Sequence, residues 1–165
     1  QGDYPPAREI FRQLYEEDSH STIILLNLAD TENLLDNREA ADALYRQVIT
    51  SQTAMPSPND PRALSQAYAH LGMHERAIAM LKEGAGSRRR NSEDNFNAAL
   101  VYTLAGQHIA AIVEVEEALA SGFSGIWFTL PFFDPLCPDP AFGNLLRESG
   151  VEPRCGSRGG TIKLH

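Results

Sequence analysis

The sequence predicts an all-α chain: a solenoid of stacked helix–turn–helix repeats, closed by an aromatic cap and a short helix. Three observations carry this. Ala7, Ala41, Ala77 and Ala111 are separated by 34, 36 and 34 residues. A large residue follows each alanine by four, at Phe11, Tyr45, Leu81 and Val115. Small residues recur on the same grid at Ala29, Ser65 and Ala99, with Tyr68 and Tyr102, then Gly72 and Gly106, following the last two. Self-similarity at such a period marks a repeat whose units bury their apolar faces against one another.

The segment from Gly2 to Ala7 reads as a turn entering a helix that runs from about Pro5 to Glu17. Proline suits a helix's first turn, where the amide has no partner anyway. Ile10, Phe11 and Leu14 form its apolar stripe. It reads as the second half of a repeat (1–21), which implies a missing upstream helix and a fragment of a longer chain. The first full repeat spans 22–55. One helix carries Ile24, Leu25, Leu28, Ala29 and Leu35, Asp36-Asn37 makes the turn, and a second carries Ala40, Ala41, Leu44, Tyr45, Val48 and Ile49. Apolar spacings of three and four specify helix.

Pro56, Pro58 and Pro61 then stop one helix and position the next. Asp60 reads as an N-cap with Pro61 at the first helical position. Repeats 58–91 and 92–125 follow: Leu64, Tyr68, Gly72, Ala77, Ile78 and Leu81 align with Ala98, Tyr102, Gly106, Ala111, Ile112 and Val115. Small residues let helices approach, large ones fill the remaining space, and glycine permits a left-handed turn. Gly84 and Gly86 predict an early end to the helix that contains Ala77. Ser92 with Asn95 is a start signal for the next helix. Beyond Gly122 the register breaks into a cap, 126–150, containing Trp127, Phe128, Phe132 and Phe133, with a short helix after Asp139-Pro140. Residues 151–165, rich in Gly, Ser and Arg, predict a disordered tail.

The repeats resemble the tetratricopeptide repeat family over about Gly2 to Gly125, which implies a right-handed α–α superhelix. The stretch Phe133-Asp134-Pro135-Leu136 through Asp139-Pro140-Ala141-Phe142 to Leu145-Leu146 is similar to the closing segments of such repeats in bacterial serine/threonine kinases, winged-helix regulators and cyclase-like regulators. Glu32, Asp36 and Gly84 depart from the family pattern, where tyrosine, glycine and a small helix former are usual.

Composition narrows the function. A formal net charge of −8 argues against nucleic-acid or anionic-membrane partners. No apolar run approaches the roughly 20 residues of a membrane span, and the opening Gln1-Gly2-Asp3-Tyr4 has neither the basic region nor the apolar core of a signal peptide, which leaves open a signal or membrane segment upstream. Cys137 and Cys155 are too few and too far apart for a disulfide scaffold or zinc site; a reducing cytoplasm is the expected location, and Cys137 reads as a packed cap residue. No catalytic motif occurs, and no catalytic residue, metal site or cofactor is expected. His70 and His74 have metal-ligand spacing, but Gly72 breaks the helix between them. Arg88-Arg89-Arg90 reads as a solvated loop, and Glu114, Glu116 and Glu117 as a solvated helix face.

The resemblance implies that the first helix of each repeat lines a concave groove. Its exposed edge is expected at Ile23, Leu26, Asp30 and Asn33, then Arg62, Gln66, Ala69 and His70, then Phe96, Leu100 and Thr103, a mixture suited to an extended or helical peptide. Asp30, Gln66 and Leu100 do not match the family's clamp for a partner's C-terminal carboxylate. The expected function is a non-catalytic protein-interaction module or scaffold within a larger bacterial regulatory protein, binding a protein or peptide. A structural or oligomerisation segment with an empty groove is the alternative. Weak self-association through the N-terminal helix is also expected, because its stripe lacks a partner on one side.

Overall fold

The computed structural model describes residues 4–54, 60–87 and 90–155. The regular structure of the described residues is helical throughout. The chain divides into two compact units, Gly2–Arg89 and Arg90–His165.

The N-terminal unit holds α1 (Tyr4–Glu17), α2 (Thr22–Leu34), α3 (Arg38–Ala54), α4 (Pro61–His70) and α5 (His74–Ser87). Each helix packs on the next, and α2 also touches α4. Ser21 and Asp60 cap α2 and α4 by accepting from the amides of Ile24 and Arg62, with Pro61 in the first turn. Leu25, Leu26, Ala29, Ala41, Tyr45, Val48, Ala63 and Ala67 form one core cluster, against which Tyr15 and Leu44 pack. Gln52, buried near the end of α3, donates to Thr22 Oγ1 (2.7 Å) and accepts from the Asp60 amide (2.9 Å). One side chain thus ties the end of α3 to the starts of α2 and α4.

The C-terminal unit holds α6 (Ser92–Leu104), α7 (His108–Ala120), two 3-10 turns (Gly125–Thr129 and Pro131–Leu136) and α8 (Pro140–Glu148). The signal that starts α6 is a reciprocal capping box between Asn91 and Asp94, rather than Ser92 with Asn95. Phe96 stacks on Phe123 and meets Phe128 and Phe133 at centroid distances of 5.4 and 5.7 Å. The aromatic cap is thereby joined to α6, while α8 buries Phe142 and Leu146. Such aromatic pairs add about 0.5–1.5 kcal/mol beyond the area they bury.

The same turn closes α2, α4, α6, α7 and α8. The residue after the C-cap has a positive φ: Asp36 at 62°, and Gly72, Gly106, Gly122 and Gly150 at 73°, 72°, 85° and 80°. The next amide reaches back five residues, as in Asn37 to Glu32, Met73 to Tyr68 and Gln107 to Tyr102. This pair of bonds satisfies carbonyls that a helix end leaves without partners. Asp36 occupies the one such position that lacks glycine. The small residues of the register are sealed inside: Ala29, Ser65, Ala77, Ala99 and Ala111 are 0 % exposed.

Gly84 does not end its helix. Helix α5 continues to Ser87, and Gly84 lies so close to the Pro61 ring that a β-carbon there would sit 3.2 Å away. A missing side chain at Gly84 therefore serves close packing between α5 and the start of α4. The tail also departs from expectation. Residues 151–155 are placed, with Val151 half-buried and its amide bonded to the Leu146 carbonyl. The expected disorder of 156–165 lies outside the described residues. So do Met55–Asn59 of the proline-rich connection and Arg88-Arg89 of the basic run.

Candidate functional site

The groove candidates of the N-terminal unit lie on α2 and α4, and four of them meet in one polar cluster. Asp30, two turns into α2, accepts a hydrogen bond from Tyr45 Oη (2.6 Å) and another from Gln66 Nε2 (2.8 Å). His70 Nε2 faces Asp30 Oδ1 at 3.5 Å. Asn33, three residues beyond Asp30 on α2, donates from Nδ2 to His70 Nδ1 (3.2 Å). That bond makes Nδ1 the acceptor, so the ring proton resides on Nε2 and points toward the carboxylate. The Tyr45 and His70 rings stack nearly parallel, with centroids 4.5 Å apart. Helices α3 and α4 thus bring two hydrogen-bond donors and the His70 ring to one carboxylate on α2.

Burial sets the charges. The Asp30 carboxyl is raised to about 6 by loss of water, partly offset by its Tyr45 and Gln66 bonds. The His70 ring is lowered to about 3 by burial, and its side chain is only 1 % exposed. The Tyr45 hydroxyl is held well above its usual range, by burial first and then by the neighbouring Asp30 charge. At neutral pH the cluster therefore holds one carboxylate, a neutral imidazole and a neutral phenol. The Asp30 side chain remains 21 % exposed.

The remaining candidates separate. Ile23 is strongly exposed, at 70 %. Arg62 is half-buried beside Asp60, at 3.8 Å. Leu26, expected on the exposed edge, is buried in the core instead, because α2 packs against α1, α3 and α4. Ala69 is likewise buried. In the C-terminal unit Leu100 and Thr103 are both buried at 2 %, and Thr103 Oγ1 donates to the Ala99 carbonyl. Phe96 belongs to the aromatic cluster. Leu100 and Thr103 therefore do not offer the exposed edge expected of them, while Phe96 is half-buried.

Four features escaped the sequence reading. Tyr45 was read as a core filler, yet its hydroxyl completes the Asp30 cluster; a tyrosine in an otherwise apolar register position is the signal, since a buried phenol needs a partner. Glu32, which stands where tyrosine is usual, is 2 % exposed and accepts from Arg12 (3.1 Å) and Asn37 (2.7 Å), so α1 is fastened to α2 by an ion pair. Glu114 is no free solvated charge, for Arg90 grips both its oxygens. Finally, Cys137 and Cys155 are joined by a disulfide, with Cα atoms 5.6 Å apart. Distance along the chain had argued against it, but the turn at Gly150 brings the segment back over the cap.

The arrangement around Glu32 borders an open cleft of about 830 Å³, lined by Arg12, Asp36, Asn37, Arg38 and Glu39 among others. His70 and His74 lie on either side of the Gly72 turn, and among the described residues no three metal-ligating side chains gather. No described helix is long and apolar enough to cross a membrane. Compared with known proteins, the chain matches no family model and no curated protein.

Proposed function

We propose that the chain is a non-catalytic protein-interaction module of tetratricopeptide type, and that α2 and α4 present its peptide-binding surface. The observation that carries this reading is the Asp30 carboxylate. It is fixed by Tyr45 and Gln66, is 21 % exposed, and lies on the helix that also displays Ile23. A rigid acceptor and an apolar anchor on one helix suit a peptide offering backbone or cationic donors and an apolar side chain. The repeated helix–turn–helix geometry and the shared small-residue register support the family assignment. The aspartate–proline closing segment supports a place in a larger bacterial regulatory protein. The net charge of −8 disfavours nucleic acid and anionic membrane as partners. A cytoplasmic location forms no part of the reading, because paired cysteines persist where thiols oxidise.

Selection from a random peptide library on the immobilised chain tests this. Enriched peptides should lose binding to Ile23→Glu/Arg62→Glu and keep it with Ile109→Glu, an exposed position in the other unit. Failure to enrich any peptide, or equal loss with both variants, would refute the proposal.

The alternative, a self-associating structural segment, draws on α1. Ile10 and Leu14 are 56 % and 38 % exposed there, while Phe11 and Tyr15 turn inward.

A further inference from the structure

Helix α7 departs from its counterparts on the side it turns to solvent. The register alanines Ala41, Ala77 and Ala111 align α3, α5 and α7, and all three are buried. Two residues before them stand Glu39, Glu75 and Ile109. Two residues after them stand Ala43, Ala79 and Val113, and five after, Arg46, Lys82 and Glu116. Every one of these flanking positions is exposed. A row that reads acid, alanine, base in α3 and α5 thus becomes isoleucine, valine, acid in α7. Ile109 is 82 % exposed and Val113 52 %, and folding gains little from an apolar side chain left in water. At 3.6 residues per turn, Ile109, Val113, Glu116, Glu117 and Ala120 share one exposed stripe about 100° wide. Ile109 and Val113 stand one turn apart on it, and the two glutamates follow. Glu114 lies off the stripe and is held by Arg90, whereas among the described residues no ion pair holds Glu116 or Glu117.

We propose that this face of α7 is a second docking surface, and that its occupant is a helix of a partner protein bearing two apolar side chains one turn apart and lysine or arginine beside them. Charge complementarity selects the occupant. The stripe offers two carboxylates and no cation, and the whole chain carries −8. A cationic partner is steered toward it, and an acidic one, a second copy of this chain included, is repelled. The apolar spacing selects a helix, whose side chains at i and i+4 meet Ile109 and Val113 row against row. Between its end turns α7 presents side chains only, because its amides and carbonyls are paired within the helix. An extended peptide therefore finds no backbone partners there. A short disordered peptide would also lose entropy in becoming helical on so small a surface. Binding here does not call on α2 or α4, which belong to the other unit.

The test is fluorescence anisotropy of two hydrocarbon-stapled helical peptides with the full chain at low salt. Both carry leucines four apart. Two lysines follow the leucines in one peptide and precede them in the other. At least one should bind, more weakly as salt rises. Its counterpart with glutamate for lysine should bind about tenfold more weakly. Ile109→Glu/Val113→Ala, which gives α7 the residues of α3 and α5, should weaken binding at least about tenfold. Glu116→Lys/Glu117→Lys should reverse the preference, so that the glutamate peptide binds better, an outcome that misfolding would not produce. Ile23→Glu/Arg62→Glu should bind as the parent does; loss in that variant would move the binding to α2 and α4 and overturn the proposal. No binding of either lysine peptide, equal binding of lysine and glutamate peptides, or parental affinity in Ile109→Glu/Val113→Ala would overturn it too. So would a dimer of the parent that Ile109→Glu turns into monomer, because the face would then belong to a second copy.

Discussion

Opposed titrations at Asp30 and His70 give the cluster a pH signature that can be worked from the structure. His70 is neutral when folded, down to about pH 3, whereas in the unfolded chain it gains a proton near 6.5. A depressed pKa of this kind contributes stability above 6.5 that is lost as pH falls below it, at about 1.4 kcal/mol per pH unit. Asp30 behaves in the opposite sense. Its carboxyl is raised from 3.8 to about 6, so its contribution is full below 3.8 and is lost as pH rises through 6. Between about pH 6 and 4 the two slopes have equal size and opposite sign, and the pair should be nearly silent. Each alone spans about 2 kcal/mol over those two units, because the slope falls off near the titration points at either end. Asp30→Asn should therefore lose about 2 kcal/mol more than the parent on acidification from pH 6 to 4, and His70→Gln should gain about as much. Both variants will also be less stable at pH 7, so only the change with pH is diagnostic. The groups around the pair are Tyr45, whose hydroxyl keeps its proton throughout this range, the uncharged Gln66 and Asn33, and Asp42, whose charge acts on Tyr45. The assay is urea unfolding at several pH values, read from hydrogen exchange of buried α2 and α3 amides such as Leu28, Tyr45 and Val48. Ring nitrogen shifts of His70 supply the decisive control. A spectrum that turns to imidazolium between pH 7 and 5 would show that the pair ionises together, and would refute the argument.

Three further outcomes are expected. Ala111→Leu should destabilise the C-terminal unit by about 1–3 kcal/mol through overpacking, since Ala111 is 0 % exposed; thermal melts within error of the parent would refute the register. Asp36→Gly should stabilise the N-terminal unit by about 0.5–1 kcal/mol, because only Asp36 among the five positive-φ turn residues carries a β-carbon and its Arg38 pair is well exposed; denaturant midpoints test this. Any weak self-association seen by sedimentation velocity should disappear in Ile10→Glu/Leu14→Glu, and dimers persisting in that variant would rule out α1 as the contact.

Helix positions were legible because periodicity reports which face is buried, and the turn at Gly72 or Gly106 announces itself by composition. Asp36 shows the limit of composition: the same left-handed turn forms there without glycine, stabilised by the Asn37 amide reaching the Glu32 carbonyl. Burial on the inner helices was harder to read. Leu26, Leu100 and Thr103 lie on the side expected to be open, yet α2 and α6 are covered on several sides, which no pattern within one helix reveals. Asp30, Asn33, Gln66 and His70 were expected, from the resemblance, on one groove edge that mixed them with apolar residues. Their mutual hydrogen bonds, and the part played by Tyr45, depend on distances across helices. The disulfide was missed for a similar reason: eighteen residues of separation say little once Gly150 reverses the chain.

The two hydrogen bonds of the Gln52 side chain, one given to Thr22 and one received from the Asp60 amide, bear on how much the connection after α3 can vary. Both ends of that connection are set by the same amide, one just before Ala54 and the other at the cap of α4. Lengthening the chain between two fixed points costs only the entropy of a longer closed loop, about 0.6 kcal/mol for each doubling. Extra residues placed there leave the seating of α4 unchanged, which accounts for a spacing of 36 rather than 34 between Ala41 and Ala77 with no loss of burial at either alanine.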